Sequence, residues 1–270
     1  MTNRLSLAAL LAVGGLVLLA LIGPAIVPHD PLATRVASGL QPPSATHWFG
    51  TDQLGRDIFS RVVVATRLDL AIAGAAVLLS FVVGSGVGAA CGYFGGALDR
   101  WAGRIVDMLM AFPLFVVAMA LVVALGNSVA NIVYATAIIN LPFYIRFARA
   151  EVAVRREAGY VQAARLGGAG PWAVVFGTLL PNLAPGLAVQ MSLNLGWAIL
   201  NAAGLSFIGL GVRPPAAEWG VLTAEGAPYL ISGQWWVAVF PGLALMGAVF
   251  AFNLAGDALR DLLDPRRRRT

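Results

Sequence analysis

The sequence predicts an all-α integral membrane protein: six transmembrane helices, N-in/C-in, with one further cytoplasmic helix in the loop between helices 4 and 5. Three observations predict this. Only 11% of the 270 residues are charged and 59% are hydrophobic, whereas a soluble domain carries about 25% charged residues. The charges are banded, leaving five runs free of Asp, Glu, Arg and Lys at 5–29, 70–98, 108–145, 166–212 and 226–256. Finally, the arginines are distributed unevenly over loops that alternate sides, as they are in proteins oriented by the positive-inside rule.

The first run gives a span at 5–27, behind Arg4. A secretory signal has an apolar region of only about 7–15 residues. This run is longer and no small-residue cleavage site follows it, so an uncleaved helix is expected. An outer loop follows at 28–69, then a second span at 70–92 in which Gly84, Gly88 and Gly92 recur four apart. Small residues at that spacing let helix backbones approach closely, within the chain or against a partner. As one helix, run 108–145 would measure about 57 Å, against a hydrocarbon core of about 30 Å. It must therefore break, and Gly126-Asn127-Ser128 is the natural turn, giving spans at 103–125 and 129–150. The run from 166 begins in a Gly-rich loop, passes Pro181 and Pro185, and holds a span at 183–207; the last span is 236–258. Together, 1–270 form a single transmembrane domain.

In this topology, inner segments hold Arg4, Arg100, Arg104, Arg146, Arg149, Arg155, Arg156, Arg165, Arg260 and Arg266 to Arg269, while outer segments hold Arg35, Arg56, Arg61, Arg67 and Arg213. Thirteen arginines against five place both ends inside. Trp48, Trp219, Trp235 and Trp236 then form an outer aromatic belt, with Trp101 and Trp172 at the inner one. The Arg266–Arg269 tail reads as a lipid-facing anchor.

The same residues exclude several functions. All 18 basic residues are Arg, so the lysine of a Walker A phosphate loop is missing and the chain is no standard P-loop ATPase. The high pI follows from the inner loops and not from a nucleic-acid stripe with interleaved aromatics. Cys91 is the single cysteine and reads as a small buried apolar residue. His29 and His47 lie far apart in the outer loop and read as solvated side chains, not as ligands. No Ser/His/Asp set, His-Glu-x-x-His motif or paired intramembrane Asp is present. Asp107, Glu151 and Asp257 lie near inner span ends, and the span centres offer Asn140, Asn194, Asn201 and Ser192. An ion-coupled secondary transporter, the alternative from a different class, usually keeps ionisable groups at mid-membrane depth. That contrast favours a pathway powered by another subunit.

The inner loop 151–182 is the most informative segment. Residues 151–166 have helix-forming composition with a Glu151/Arg155 i,i+4 pair. Gly167-Gly168 stops the helix and Gly170-Pro171 marks a turn. Ala163 and Ala164 offer a shallow surface to another protein, and Glu157, Tyr160 and Arg165 offer polar handles beside it. In the outer loop, Gly50 and Gly55 shape turns, Asp52, Arg56 and Asp57 cap and pair, and Asp57/Arg61 are spaced as an i,i+4 ion pair. Contact between this loop and a substrate-binding protein is the other reading of these residues.

Gln162-Ala163-Ala164, Gly168 and Leu180-Pro181 resemble the cytoplasmic signature of ATP-binding-cassette (ABC) importer permeases, with Gln162 in place of Glu and Thr178 in place of Ile. Tyr160 to Ala169 match the form of that signature in the dipeptide/oligopeptide/nickel branch. So do His47 to Arg61, Gly92-Tyr93-Phe94-Gly95-Gly96 with Asp99-Arg100, Leu205 to Gly211 with Pro214-Pro215 and Glu218-Trp219-Gly220, and Phe252 to Pro265. The likeness runs from about residue 5 to 265 and points to the second, C-type permease of a heteromeric pair. It implies that Glu157, Tyr160, Gln162, Ala163, Ala164, Arg165, Gly168 and Ala169 dock an ATPase subunit as a coupling helix. It also implies a non-catalytic subunit with no cofactor of its own, ATP and Mg being bound by two partner ATPase subunits. The further partners implied are a second homologous permease, an extracytoplasmic substrate-binding protein and membrane lipid, in a bacterial or archaeal cytoplasmic membrane. The cargo implied is dipeptide or oligopeptide, moved by alternating access, with nickel or a metal chelate as the alternative. Bare nickel favours imidazole or thiolate ligands, and the predicted spans contain no His and a lone Cys.

Overall fold

The structure, a computed structural model, describes residues 4–263. The Arg266–Arg269 tail and the Asp264-Pro265 end of the C-terminal motif lie outside the described residues. The chain order is α1 (Arg4–Ile26), a 3-10 turn at Val36–Ser38, α2 (Ile58–Phe94), α3 (Gly96–Met110), α4 (Leu114–Leu125), α5 (Val129–Arg155) and α6 (Gly159–Leu166). Then come α7 (Pro171–Ala173), a π-helical stretch at Val174–Leu179, α8 (Leu180–Asn182), α9 (Ala184–Phe207), α10 (Trp219–Gly226), a 3-10 turn at Ala227–Leu230 and α11 (Trp236–Leu263). Among the described residues there is no strand, only one isolated bridge, between Thr51 and Asp57.

Four helices are long and apolar enough to cross a membrane: α1, α2, α5 and α11. Two bent pairs raise the number to six, if each is one span. α3 meets α4 at 92°, and Pro171–Asn182 meets α9 at 65°. The charge pattern predicts a continuous helix over 103–125. Instead the chain turns at 111–113, where Pro113 takes an extended ψ of 118° and opens α4. Proline has no N–H to continue the ladder and disfavours α geometry in the residue before it.

α2 also departs from expectation. It begins at Ile58, twelve residues ahead of the predicted span, and is 37 residues long. Arg61, Arg67 and Asp69 make that stretch read as loop. Two of them, Arg61 and Asp69, are buried inside the protein. Asp57 starts the helix as its N-cap, accepting a hydrogen bond from the Ser60 amide and satisfying an amide left free by the first turn.

The glycines of α2 pack within the chain. A Cβ on Gly84 would meet the Tyr144 Cβ at 2.7 Å, one on Gly88 the Ile145 carbonyl oxygen at 2.4 Å, and one on Gly92 the Arg149 carbonyl oxygen at 2.5 Å. All three partners lie on α5, so the absence of side chains sets the distance between the two helices. A core of Val77, Ala89, Tyr144, Val152, Val161, Leu179, Leu187 and Ile199 gathers α2, α5, α6 and α9. Of the polar residues expected at the span centres, Asn194 accepts from the Gln190 side chain at 3.4 Å and the other three are turned to backbone carbonyls. Asn140 Nδ2 donates to the Thr136 carbonyl at 2.9 Å and Asn201 Nδ2 to Trp197 at 2.8 Å, while Ser192 Oγ ties α9 to α11 through the Phe252 carbonyl at 2.9 Å. Trp219, expected in an aromatic belt, is a core residue whose indole N–H donates to the Val62 carbonyl at 3.0 Å. Trp48, Trp101, Trp172 and Trp235 are exposed.

Candidate functional site

Two groups of residues singled out in the sequence lie in different parts of the fold. The first surrounds α6. α5 continues to Arg155, the chain turns over 156–158, and α6 then runs for eight residues. The expected single helix over 151–166 is thus two helices. Glu151 and Arg155 do pair, at the end of α5. One side of α6 is anchored: Val161 is fully buried, and Ala158, Ala164 and Ala169 pack against the same core. The opposite side is open. Tyr160, Ala163 and Leu166, spaced three apart, are exposed, Leu166 at 90%. Of the two alanines expected at the surface, Ala163 is exposed and Ala164 is half-buried.

Polar groups fix this arrangement. Gln162 Nε2 donates to the Glu157 carbonyl at 3.0 Å and Arg165 to the Arg156 carbonyl at 3.1 Å. The Arg165 guanidinium also lies 3.6 Å from the Glu157 carboxylate and 5.2 Å from the centre of the Tyr93 ring, next to the α2–α3 corner. The C-terminus closes through Ala169 N–H donating to the Ala164 carbonyl at 3.1 Å and Gly168 N–H to Arg165 at 3.0 Å. Gly168 has φ of +84°, and a Cβ added there would meet nothing within 4 Å. Its requirement for glycine is therefore one of backbone angle, not of space.

The second group is a buried charge cluster. Asp52 Oδ1 accepts from the Leu54 and Arg56 amides at 2.9 and 3.0 Å, folding the loop on itself. Its Oδ2 receives the Arg56 Nε at 2.6 Å and lies 3.9 Å from the Arg61 Nε. Glu225 on α10 completes the group, 3.2 Å from Arg56 and 3.3 Å from Arg61. Two guanidiniums thus face two carboxylates, joining the loop before α2 to α10. Glu225 escapes a reading of the sequence because it lies more than 160 positions away.

Asp57 is not Arg61's partner. Its Oδ2 accepts from the Ser60 amide and hydroxyl at 2.8 and 2.7 Å, and its Oδ1 accepts from His47 Nδ1 at 2.9 Å. His29 and His47, separate loop residues in the sequence, have ring centres 4.7 Å apart. A further pair has no signal in the sequence. Asp69 accepts from the Trp219 amide at 3.1 Å, and neighbouring Glu218 caps α10 by accepting from Val221 at 2.7 Å. Burial pushes the Glu218 carboxyl above its ordinary range. Gly50 and Gly55 hold the loop in place: both have positive φ, and added methyl groups would meet the Gln41 and Arg35 carbonyl oxygens at 2.5 and 2.0 Å.

What these groups provide is one anchored helix with an open side and one locked loop. Residues 82–269 fit the family "Binding-protein-dependent transport system inner membrane component". The chain is 44% identical over 251 residues to a probable D,D-dipeptide transport system permease of Escherichia coli strain K12, spanning 93% of this chain and 84% of that one. It is 42% identical over 257 residues to the nickel transport system permease of the same organism, spanning 95% and 92%. Among solved structures, a chain of the inward-facing MetNI methionine ABC transporter shares the fold, with a TM-score of 0.60 at 20% identity over 76% of this chain and 96% of that one. The helical bundle, the spans and the family match over most of the chain lead to one conclusion: the protein is a multi-pass membrane protein of the binding-protein-dependent transport permease family.

Proposed function

We propose that this chain is the non-catalytic permease subunit of an ATP-driven importer for short peptides, with α6 as the element that receives motion from an ATPase subunit. The observation that carries the proposal is the asymmetry of α6. Val161 is fully buried while Tyr160, Ala163 and Leu166 are exposed on the opposite side. An apolar side chain that is 90% exposed on a short helix bracketed by charged residues has a reason to be there if a protein covers it. In this reading α6 and both chain ends face the cytoplasm of a bacterial or archaeal cell. A second, homologous permease completes the path, two ATPase subunits bind ATP and Mg, and a binding protein delivers cargo to the face that carries the 28–57 loop.

A cleft of about 640 Å³ supports peptide as the cargo. It is lined by Glu151, Arg155 and Arg260 together with Phe147, Leu183 and Gln190. Charges of both signs beside apolar side chains suit a zwitterionic peptide, and the lining holds no imidazole or thiolate for a bare late transition metal. Nickel or a nickel chelate is the second reading, favoured by the 42% identical nickel permease.

Ala163→Glu places an unpaired charge in the proposed interface without disturbing the anchored side of α6. The variant should reach the membrane at the parent level. Co-purification of the ATPase subunits should fall at least tenfold, equivalent to about 1.4 kcal/mol, and peptide uptake should fall with it. An Ala163→Glu variant that retains its ATPase subunits and full uptake sinks the reading. Uptake of radiolabelled dipeptide against nickel by the assembled transporter separates the two cargoes.

A further inference from the structure

We propose that His29, His47 and Asp57 form a binding site for one late first-row transition metal ion in the divalent state, with Zn(II) and Ni(II) as its nearest chemical fits. One ligand atom from each residue lies within 4.8 Å of those of the other two, and the imidazole rings face each other at 4.7 Å with a 34° tilt. Hydrogen bonds hold both rings in place. His29 Nε2 donates to the Thr46 carbonyl at 2.8 Å, which leaves Nδ1 as that ring's ligand atom. A ring held through one nitrogen by a carbonyl, with the other free to ligate, is the pattern of metal-binding histidines. His47 Nδ1 and Asp57 Oδ1 stand 2.9 Å apart, close enough to ligate one ion together in place of the hydrogen bond they now share.

The supporting structure is rigid. Asp57 is buried and fixed as the α2 N-cap, accepting from the Ser60 amide and hydroxyl. The Ser60 hydroxyl in turn accepts from the His29 amide at 3.3 Å. One serine thus joins the end of α1, the start of α2 and the carboxylate that orients His47. Both rings are half-buried, which leaves a route from solvent. Two imidazoles beside a carboxylate suit Zn(II), Ni(II) or Cu(II) and do not suit Mg(II) or Ca(II), which take oxygen ligands. Bound there, the ion would join the loops before α2 to the end of α1. The proposal concerns binding by this chain alone, so its failure would leave the transporter reading untouched.

The sequence contains two histidines, which makes the test direct. The full-length chain is purified in nanodiscs through a tag free of histidine, with ring-labelled [15N]histidine. Titration with ZnCl2 should shift both imidazoles together and saturate at one equivalent. His29→Gln and His47→Gln should each weaken binding at least tenfold, with Mg(II) giving no shift in the parent. Thermal unfolding verifies that His29→Gln is folded, and the parent titration gives an answer whatever the variants do. Response of one ring only, no response at millimolar zinc, or unchanged affinity in His29→Gln each overturns the proposal.

Discussion

Arg61 is fully buried, and two of its guanidinium nitrogens, Nε and Nη1, have no hydrogen-bond partner. Its charge is balanced by Asp52 and by Glu225, the carboxylate it shares with Arg56. Removing one partner from a buried ionic group costs about 3–5 kcal/mol, because the remaining charge stays desolvated. Glu225→Gln should therefore lower stability by about 3 kcal/mol or more in denaturant unfolding, while Arg213→Gln, at an exposed site, should leave it unchanged. Equal stability of the two variants would show that the cluster is held by its loop and not by its charges. The sequence exposes the residue types at 52, 56, 57 and 61 but mispairs them. Spacing suggests Asp57 with Arg61, and the helix start decides otherwise, since a carboxylate at an N-cap is engaged by the first turn. The partners Glu225 and, for Asp69, Glu218 come from another element, which no local pattern reveals.

Helices are legible wherever charge ends a run and less so where proline interrupts one. Pro142 sits buried inside α5, and that helix continues. Pro113 is exposed and ends a helix at a sharp bend. The residue type is the same, and packing around the gap in the hydrogen-bond ladder decides between a kink and a break. The α2 glycines are legible as a packing stripe, but their partner, α5, required the structure. Gly88→Ala should cost about 1–3 kcal/mol, because the added methyl meets the Ile145 backbone, which cannot move without shifting α5. Gly86→Ala is the control: its methyl has only Phe176 nearby, at 3.8 Å. It should be neutral, or stabilising by about 0.5–1 kcal/mol from helix propensity. If both variants unfold alike, close approach is not what the stripe provides.

On the scale of the whole molecule, six apolar segments put the 28–57 loop and α6 on opposite sides of a membrane, provided each bent pair is one span. In a Cys91→Ala background, Ala45→Cys and Tyr160→Cys should react from opposite sides with an impermeant maleimide, the first from outside. Labelling of both from one side would overturn the count of six.

With that count, α2 links these two sides as one unbroken rod. Its 37 residues make it about 55 Å long, nearly twice a hydrocarbon core of about 30 Å. One end is clamped by Asp57 and the charge cluster. The other reaches Tyr93, against which Arg165 of α6 rests. If α6 is the coupling element proposed above, such a rod would act as a lever: a tilt of about 10° at the α6 end would carry the far end through about 10 Å for a length set by the helical rise. A small push on a short helix would thereby be geared up into a displacement as wide as a helix, delivered to the loops around the opposite mouth.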